Sequence, residues 1–141
     1  MSKPTILIGI DPGVNTGLAV YNTKEGTLTK VCSMGIVQAM EFVYGQSIRY
    51  PFADLKVRIE DARKRVWFGN AGREKLQRAG SVKRDCSVWE EFCTYHRLAF
   101  EMVAPKANRT KLDADKFRKL TKWKERTNQH ARDAAMLVFG R

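Results

Sequence analysis

Asp11, Glu60, His130 and Asp133 have the side-chain types and the settings that metal-assisted chemistry needs. Asp11 closes the apolar run Ile6-Leu7-Ile8-Gly9-Ile10, which reads as a buried strand, and Pro12-Gly13 breaks that strand immediately afterwards. A carboxylate in such a place is costly to bury unless it is paired or bound to a cation. Glu60 closes a second run, Leu55-Lys56-Val57-Arg58-Ile59. Asp133 follows His130 by about one helical turn near the C-terminus. Acids so far apart in sequence, each ending an element, suggest a divalent-metal site. Each residue also has a plainer reading. Asp11 would be a turn residue, Glu60 a surface partner of Arg58 or Arg63, and His130 a capping-turn residue. Asp61 reads as a solvated neighbour or a partner for basic side chains, and His96 as a packing or surface residue.

The elements that must position these groups follow from pattern and punctuation. Ile6–Ile10 leads through Pro12-Gly13 to a strand at Leu18–Tyr21, with Gly17 read as a turn glycine. Lys24-Glu25-Gly26 makes the next turn, and Thr27–Ile36 is a third strand, so the first three form an antiparallel meander. Residues 37–49 read as a helix that Tyr50-Pro51 ends. Leu55–Ile59 is a fourth strand, and its long connection suits parallel pairing. A long helix is expected from about Ser81 to Arg97, with two apolar rows: Val82, Cys86, Trp89 and Cys93, then Val88, Phe92 and Tyr95. The second row is core or a subunit contact. Phe100–Ala104 is a fifth strand and 113–123 a short basic helix. The last helix spans about 128–139, with Thr127 or Asn128 as N-cap. The order βββαβαβα predicts a single α/β domain over residues 1–141, a mixed five-stranded sheet flanked by helices. Asp11 and Glu60 then end neighbouring strands, and Ala134 and Ala135 let the last helix lie close to the sheet.

Composition narrows the function. With 43% apolar and 10% aromatic residues among 141, a folded core is expected. No apolar run approaches the ~18 residues of a membrane span, and the N-terminus lacks the shape of a signal peptide. Cys32, Cys86 and Cys93 are odd in number and without zinc-type spacing, which fits reduced intracellular thiols. Net charge is +11, and residues 1–54 are balanced, so the whole excess lies in 55–141. A basic half on a neutral domain is the footprint of a polyanion-binding face. The densest part, Arg63, Lys64, Arg65, Arg73, Lys83 and Arg84, is interleaved with glycines and Trp67-Phe68. The cations suit phosphates and an aromatic suits stacking on unpaired bases, although Trp67 and Phe68 equally suit anchoring a loop to the core.

Together these residues resemble the RuvC-type Holliday junction resolvases of the ribonuclease-H-like superfamily. The matching blocks are Gly9-Ile10-Asp11-Pro12-Gly13 with Thr16-Gly17, Ile59-Glu60, and His130-Ala131-Arg132-Asp133-Ala134. Only Val14-Asn15 separates Asp-Pro-Gly from Thr-Gly, a spacing similar to that of phage and prophage members. The resemblance implies a homodimer that resolves four-way junctions, with paired nicks and without a membrane or small-molecule cofactor. It would act in the cytoplasm of a bacterial or phage-infected cell. It also implies that Asp11, Glu60 and Asp133 bind metal, that His130 fills a fourth active-site position as ligand or general base, and that Lys106 and Lys111 lie near the scissile phosphate. Two Mg²⁺ per active site, with Mn²⁺ able to substitute, would supply an activated water and neutralise the leaving oxygen. An aromatic wedge is implied soon after Glu60, where Asp61-Ala62-Arg63 stands instead; Trp67 or Phe68 is the nearest candidate. The alternatives on the same fold are a broader flap, branched-DNA or RNA–DNA hybrid nuclease, and a non-cleaving junction-binding protein. A sugar-kinase-like ATPase would need a duplicated domain and a second nucleotide loop, and is rejected.

Overall fold

The computed structural model describes residues 3–64, 73–105 and 111–141, with the backbone alone at residue 52 and at 73–79. β1 (Ile6–Asp11), β2 (Asn15–Asn22) and β3 (Thr27–Gly35) form the antiparallel meander, and Gly26 takes the left-handed conformation that its turn requires. β4 (Leu55–Glu60) joins β1 in parallel and β5 (Ala99–Val103) joins β4 in parallel, which gives the order β3-β2-β1-β4-β5. The helices are α1 (Ile36–Arg49), α2 (Arg73–Tyr95), α3 (Ala114–Thr121) and α4 (Gln129–Met136). The two helices expected after β5, over about 113–123 and 128–139, are α3 and α4.

Strand alternation divides the core in two. Ile6, Ile8 and Ile10 of β1 pack with Leu18, Val20, Leu55, Val57 and Ile59 beneath Ala39 and Val43 of α1 and Trp89 and Cys93 of α2. The opposite parity, Leu7, Ala19, Tyr21 and Val31, packs against Phe117 of α3 and Ala131, Ala134 and Ala135 of α4. The sheet is therefore covered on both faces. Gly9 and Asp11 share the α4 face, as do Lys56, Arg58 and Glu60 of β4.

Two expectations need correction. α2 begins at Arg73 instead of about Ser81, because Gly80 is accommodated inside it with open space where a side chain would be. A helical glycine costs about 1 kcal/mol, an amount a helix of 23 residues tolerates. Gly17 is not a turn glycine. It lies inside β2, and a Cβ there would overlap the backbone carbonyl of His130; a Cβ on Gly9 would overlap that of Ala134. These two glycines, more than Ala134 and Ala135, let the backbone of α4 rest directly on β1 and β2.

Candidate active site

β1 and β4 are parallel, with Ile10 opposite Ile59, so the next residues, Asp11 and Glu60, end side by side on the α4 face. Gly17 lies across from Asp11 in the β1–β2 pair and clears the room in which α4 brings His130 over it. His130 Nδ1 stands 3.1 Å from Asp11 Oδ2. Asn128 is the N-cap of α4, accepting from Ala131 N at 2.9 Å, and its amide donates to Ser33 Oγ at 2.7 Å, so the start of α4 is tied to β3. The other end is held from β4, where Arg58 Nε donates to the Leu137 carbonyl at 2.8 Å. A cation at a helix C-terminus also suits the helix dipole.

Burial is the largest influence on the Asp11 carboxyl and the charge of Glu60 the next. With Asp133 they raise it to about 6, against the hydrogen bond and charge of His130. Asp11 and Glu60 thus lie at the C-terminal ends of the central strands β1 and β4, with His130 against Asp11 and Asp133 near enough to act on it, a hard, oxygen-rich donor set of the kind Mg²⁺ prefers. Among the described residues, no three His, Cys, Asp or Glu side chains converge closely enough to grasp an ion as they stand. Asp133 is turned to protein partners, accepting from Gln129 Nε2 at 2.7 Å and lying 3.7 Å from Lys111 Nζ. The residues fit a divalent ion in donor type, with the Asp133 side chain closed onto its protein neighbours.

The basic residues expected to touch DNA are placed unevenly. Arg63 donates from Nε and Nη2 to Asp61 at 2.7 and 2.9 Å, and from Nη1 to Glu90 of α2 at 3.0 Å. Asp61 is 2% exposed, so it is a buried partner of a basic side chain and not a solvated neighbour. Burial alone would raise its carboxyl, but the hydrogen bonds and charge of Arg63 outweigh this and hold it below its usual value. Asp61 N also donates to the Val103 carbonyl, which fixes the chain just after Glu60. Arg58 lies 3.0 Å from Glu101 through Nη1 and donates from Nε to the Leu137 carbonyl. Lys64 Nζ donates to the Met102 carbonyl at 2.9 Å, Lys111 faces Asp133, and Lys83 and Arg84 lie on the outer surface of α2. Arg65, Trp67, Phe68 and Lys106 lie outside the described residues, as does the side chain of Arg73. His96 packs among Tyr44, Phe92 and Tyr95 at the far end of α2. Gly9, Gln129 and Arg132 were not singled out from the sequence. A glycine inside an apolar strand run, and a Gln four residues before Asp133 on a helix, were the signals available.

The element order and sheet order define an α/β fold of the RuvC and ribonuclease-H-like kind. The solved structure described as "T. thermophilus RuvC in complex with Holliday junction substrate" is similar to it, with a TM-score of 0.60 at 17% identity over 96% of this chain and 90% of that one. At such identity the likeness speaks for the fold. No protein-family model matches the sequence, and no curated protein matches it significantly.

Proposed function

We propose that this chain is a divalent-metal-dependent endonuclease that resolves four-way DNA junctions as a homodimer. The observation that carries the reading is that Asp11 and Glu60 end the adjacent parallel strands β1 and β4 of a RuvC-like fold, with His130 3.1 Å from Asp11 and the charge of Asp133 acting on it. The T. thermophilus protein of similar fold is described in complex with a Holliday junction, which supports a branched DNA substrate here. So does the concentration of all excess positive charge in residues 55–141. Asp11, Glu60 and Asp133 would hold Mg²⁺ or Mn²⁺, and the bound ions would supply an activated water and neutralise the leaving oxygen. Asp11 also orients His130. In the tautomer that donates from Nδ1 to Asp11, Nε2 carries the lone pair that takes a proton from the attacking water.

A homodimer is supported by the outer face of the α1 and α2 layer. Five of the seven large apolar side chains exposed among the described residues are there: Val37, Tyr44, Ile48, Val88 and Tyr95. Two copies related by a two-fold axis would place paired active sites on a junction of matching symmetry. The short spacing Val14-Asn15 supports a phage or prophage type. The three free cysteines suit a reducing cytoplasm, and no described helix is long and apolar enough to cross a membrane.

The reading is tested with Asp11→Asn. Junction affinity without metal is expected to stay at the wild-type level while Mg²⁺-dependent cleavage falls by three orders of magnitude or more. Cleavage at near wild-type rates would remove Asp11 from the chemistry.

A further inference from the structure

Asp133 is held by a relay of side chains that leads away from the site. Gln129, one turn earlier on α4, donates from Nε2 to Asp133 Oδ1 at 2.7 Å. The other end of its amide, Oε1, accepts from Arg132 Nη2 at 3.3 Å. A guanidinium only donates, so the orientation of the Gln129 amide is dictated: oxygen to Arg132, nitrogen to the carboxylate. Arg132 is itself fixed from outside α4. Its Nε donates to the Leu112 carbonyl at 2.9 Å, and its Nη1 to the Thr127 carbonyl and hydroxyl at 3.0 and 2.9 Å. Those acceptors stand on either side of α3, so one guanidinium pins both ends of the segment around α3 to α4. Asp133 is buried, and its other oxygen, Oδ2, faces a cation, Lys111 Nζ, at 3.7 Å.

We infer that Gln129 and Arg132 are positioning residues for Asp133, holding its carboxylate through Oδ1 in the orientation in which it would meet a divalent ion. The inference rests on the metal-dependent reading above. Gln129 removes the freedom of the carboxylate to swing, and Arg132 removes the freedom of the Gln129 amide to flip. Because Arg132 is anchored beside Leu112 and at Thr127, the ligand is set against the same segment that carries the exposed cations of α3: Lys116, Arg118 and Lys119. Asp133 and this basic surface are thereby linked through one guanidinium.

Gln129→Met tests this, since it keeps side-chain length and helix propensity and removes only the amide. Mg²⁺ binding to the DNA-free chain is measured by calorimetry, and kcat and KM for a four-way junction are measured across Mg²⁺ concentrations. The expected result is Mg²⁺ binding weaker by about 10–100-fold. kcat should recover at high Mg²⁺, with KM for DNA close to wild type. Arg132→Lys, which keeps the charge but not the fork, is expected to give a smaller defect of the same kind. Wild-type Mg²⁺ affinity in a folded Gln129→Met chain would overturn the inference while leaving the nuclease reading intact. If the wild-type chain itself neither binds Mg²⁺ or Mn²⁺ nor cleaves with them, the metal-dependent reading falls and this inference falls with it.

Discussion

Asp11 carries the strongest conflict between stability and chemistry. Its carboxyl is raised from 3.8 to about 6 by burial and by Glu60, so between those values the unfolded chain releases its proton first. The native state binds more protons in that window. Raising the pH from about 4 to about 6 therefore destabilises the metal-free fold, and the full penalty is present above about 6. It amounts to about 1–3 kcal/mol. Asp11→Asn is expected to raise the melting temperature of the metal-free protein by about 3 °C or more at pH 7.5, with the gain disappearing near pH 4. A variant less stable than wild type at pH 7.5 would contradict this account of the site. At this scale the sequence was informative about Asp11 and Glu60, because a strand-ending acid is visible in alternation and punctuation alone. The burial of Asp61 was not visible, because it depends on Arg63 folding back and reaching Glu90 on a helix that starts after the intervening segment.

The elements matter through how closely they approach one another. α4 carries His130 and Asp133, and Gly9 and Gly17 allow its backbone to touch the sheet. Gly17→Ala must push against the His130 carbonyl, and overpacking of this kind costs about 1–3 kcal/mol. The same displacement moves His130 away from Asp11, and misplacement by about 1 Å can cost about 10²-fold in rate. Measured together, cleavage rate and melting temperature should both fall; wild-type values for both would show that α4 does not depend on this contact. The corner after β4 depends on a second device. Arg63→Ala leaves the Asp61 carboxylate buried without its fork, which is expected to destabilise the fold by about 2–3 kcal/mol, a figure moderated because Arg63 is itself 30% exposed. The Asp61 carboxyl is depressed in the native state, so its contribution is present above the unfolded value near 4 and is lost as pH falls through the lower native value. Urea titrations at pH 7 should show the loss, and equal stability of variant and wild type would refute the clamp. The strands were legible because alternation has a period of two and turns have strong residue signals. The start of α2 was obscured by three glycines in a basic stretch. The role of Gly17 could not be read locally, since only the position of α4 reveals it.

For the whole molecule, charge and exposed apolar surface are both unevenly distributed. The positive excess belongs to residues 55–141, while the exposed apolar side chains gather on the outer face of α1 and α2. The mixed sheet was legible as a class because the meander and the parallel fourth strand follow from connection lengths, while the parallel pairing of β5 emerged from the fold. Which apolar row of α2 faces outward needed the packing of Cys86, Trp89 and Cys93. Phe92 belongs partly to the core, with its ring 5.6 Å from that of Trp89, so Ile48 and Tyr95, 66% and 80% exposed, are the cleaner probes of an interface. The double variant Ile48→Glu, Tyr95→Glu is expected to be a folded monomer by light scattering and to lose paired cutting. A folded dimer would place the interface elsewhere. The most direct measurement of the central claim is cleavage of an end-labelled four-way junction with Mg²⁺, run beside linear duplex, flap and RNA–DNA hybrid. The account predicts paired, symmetric nicks confined to the junction and absent with Asp11→Asn. Cutting spread over flaps or hybrids, or tight junction binding with no cutting under Mg²⁺ or Mn²⁺, would contradict it.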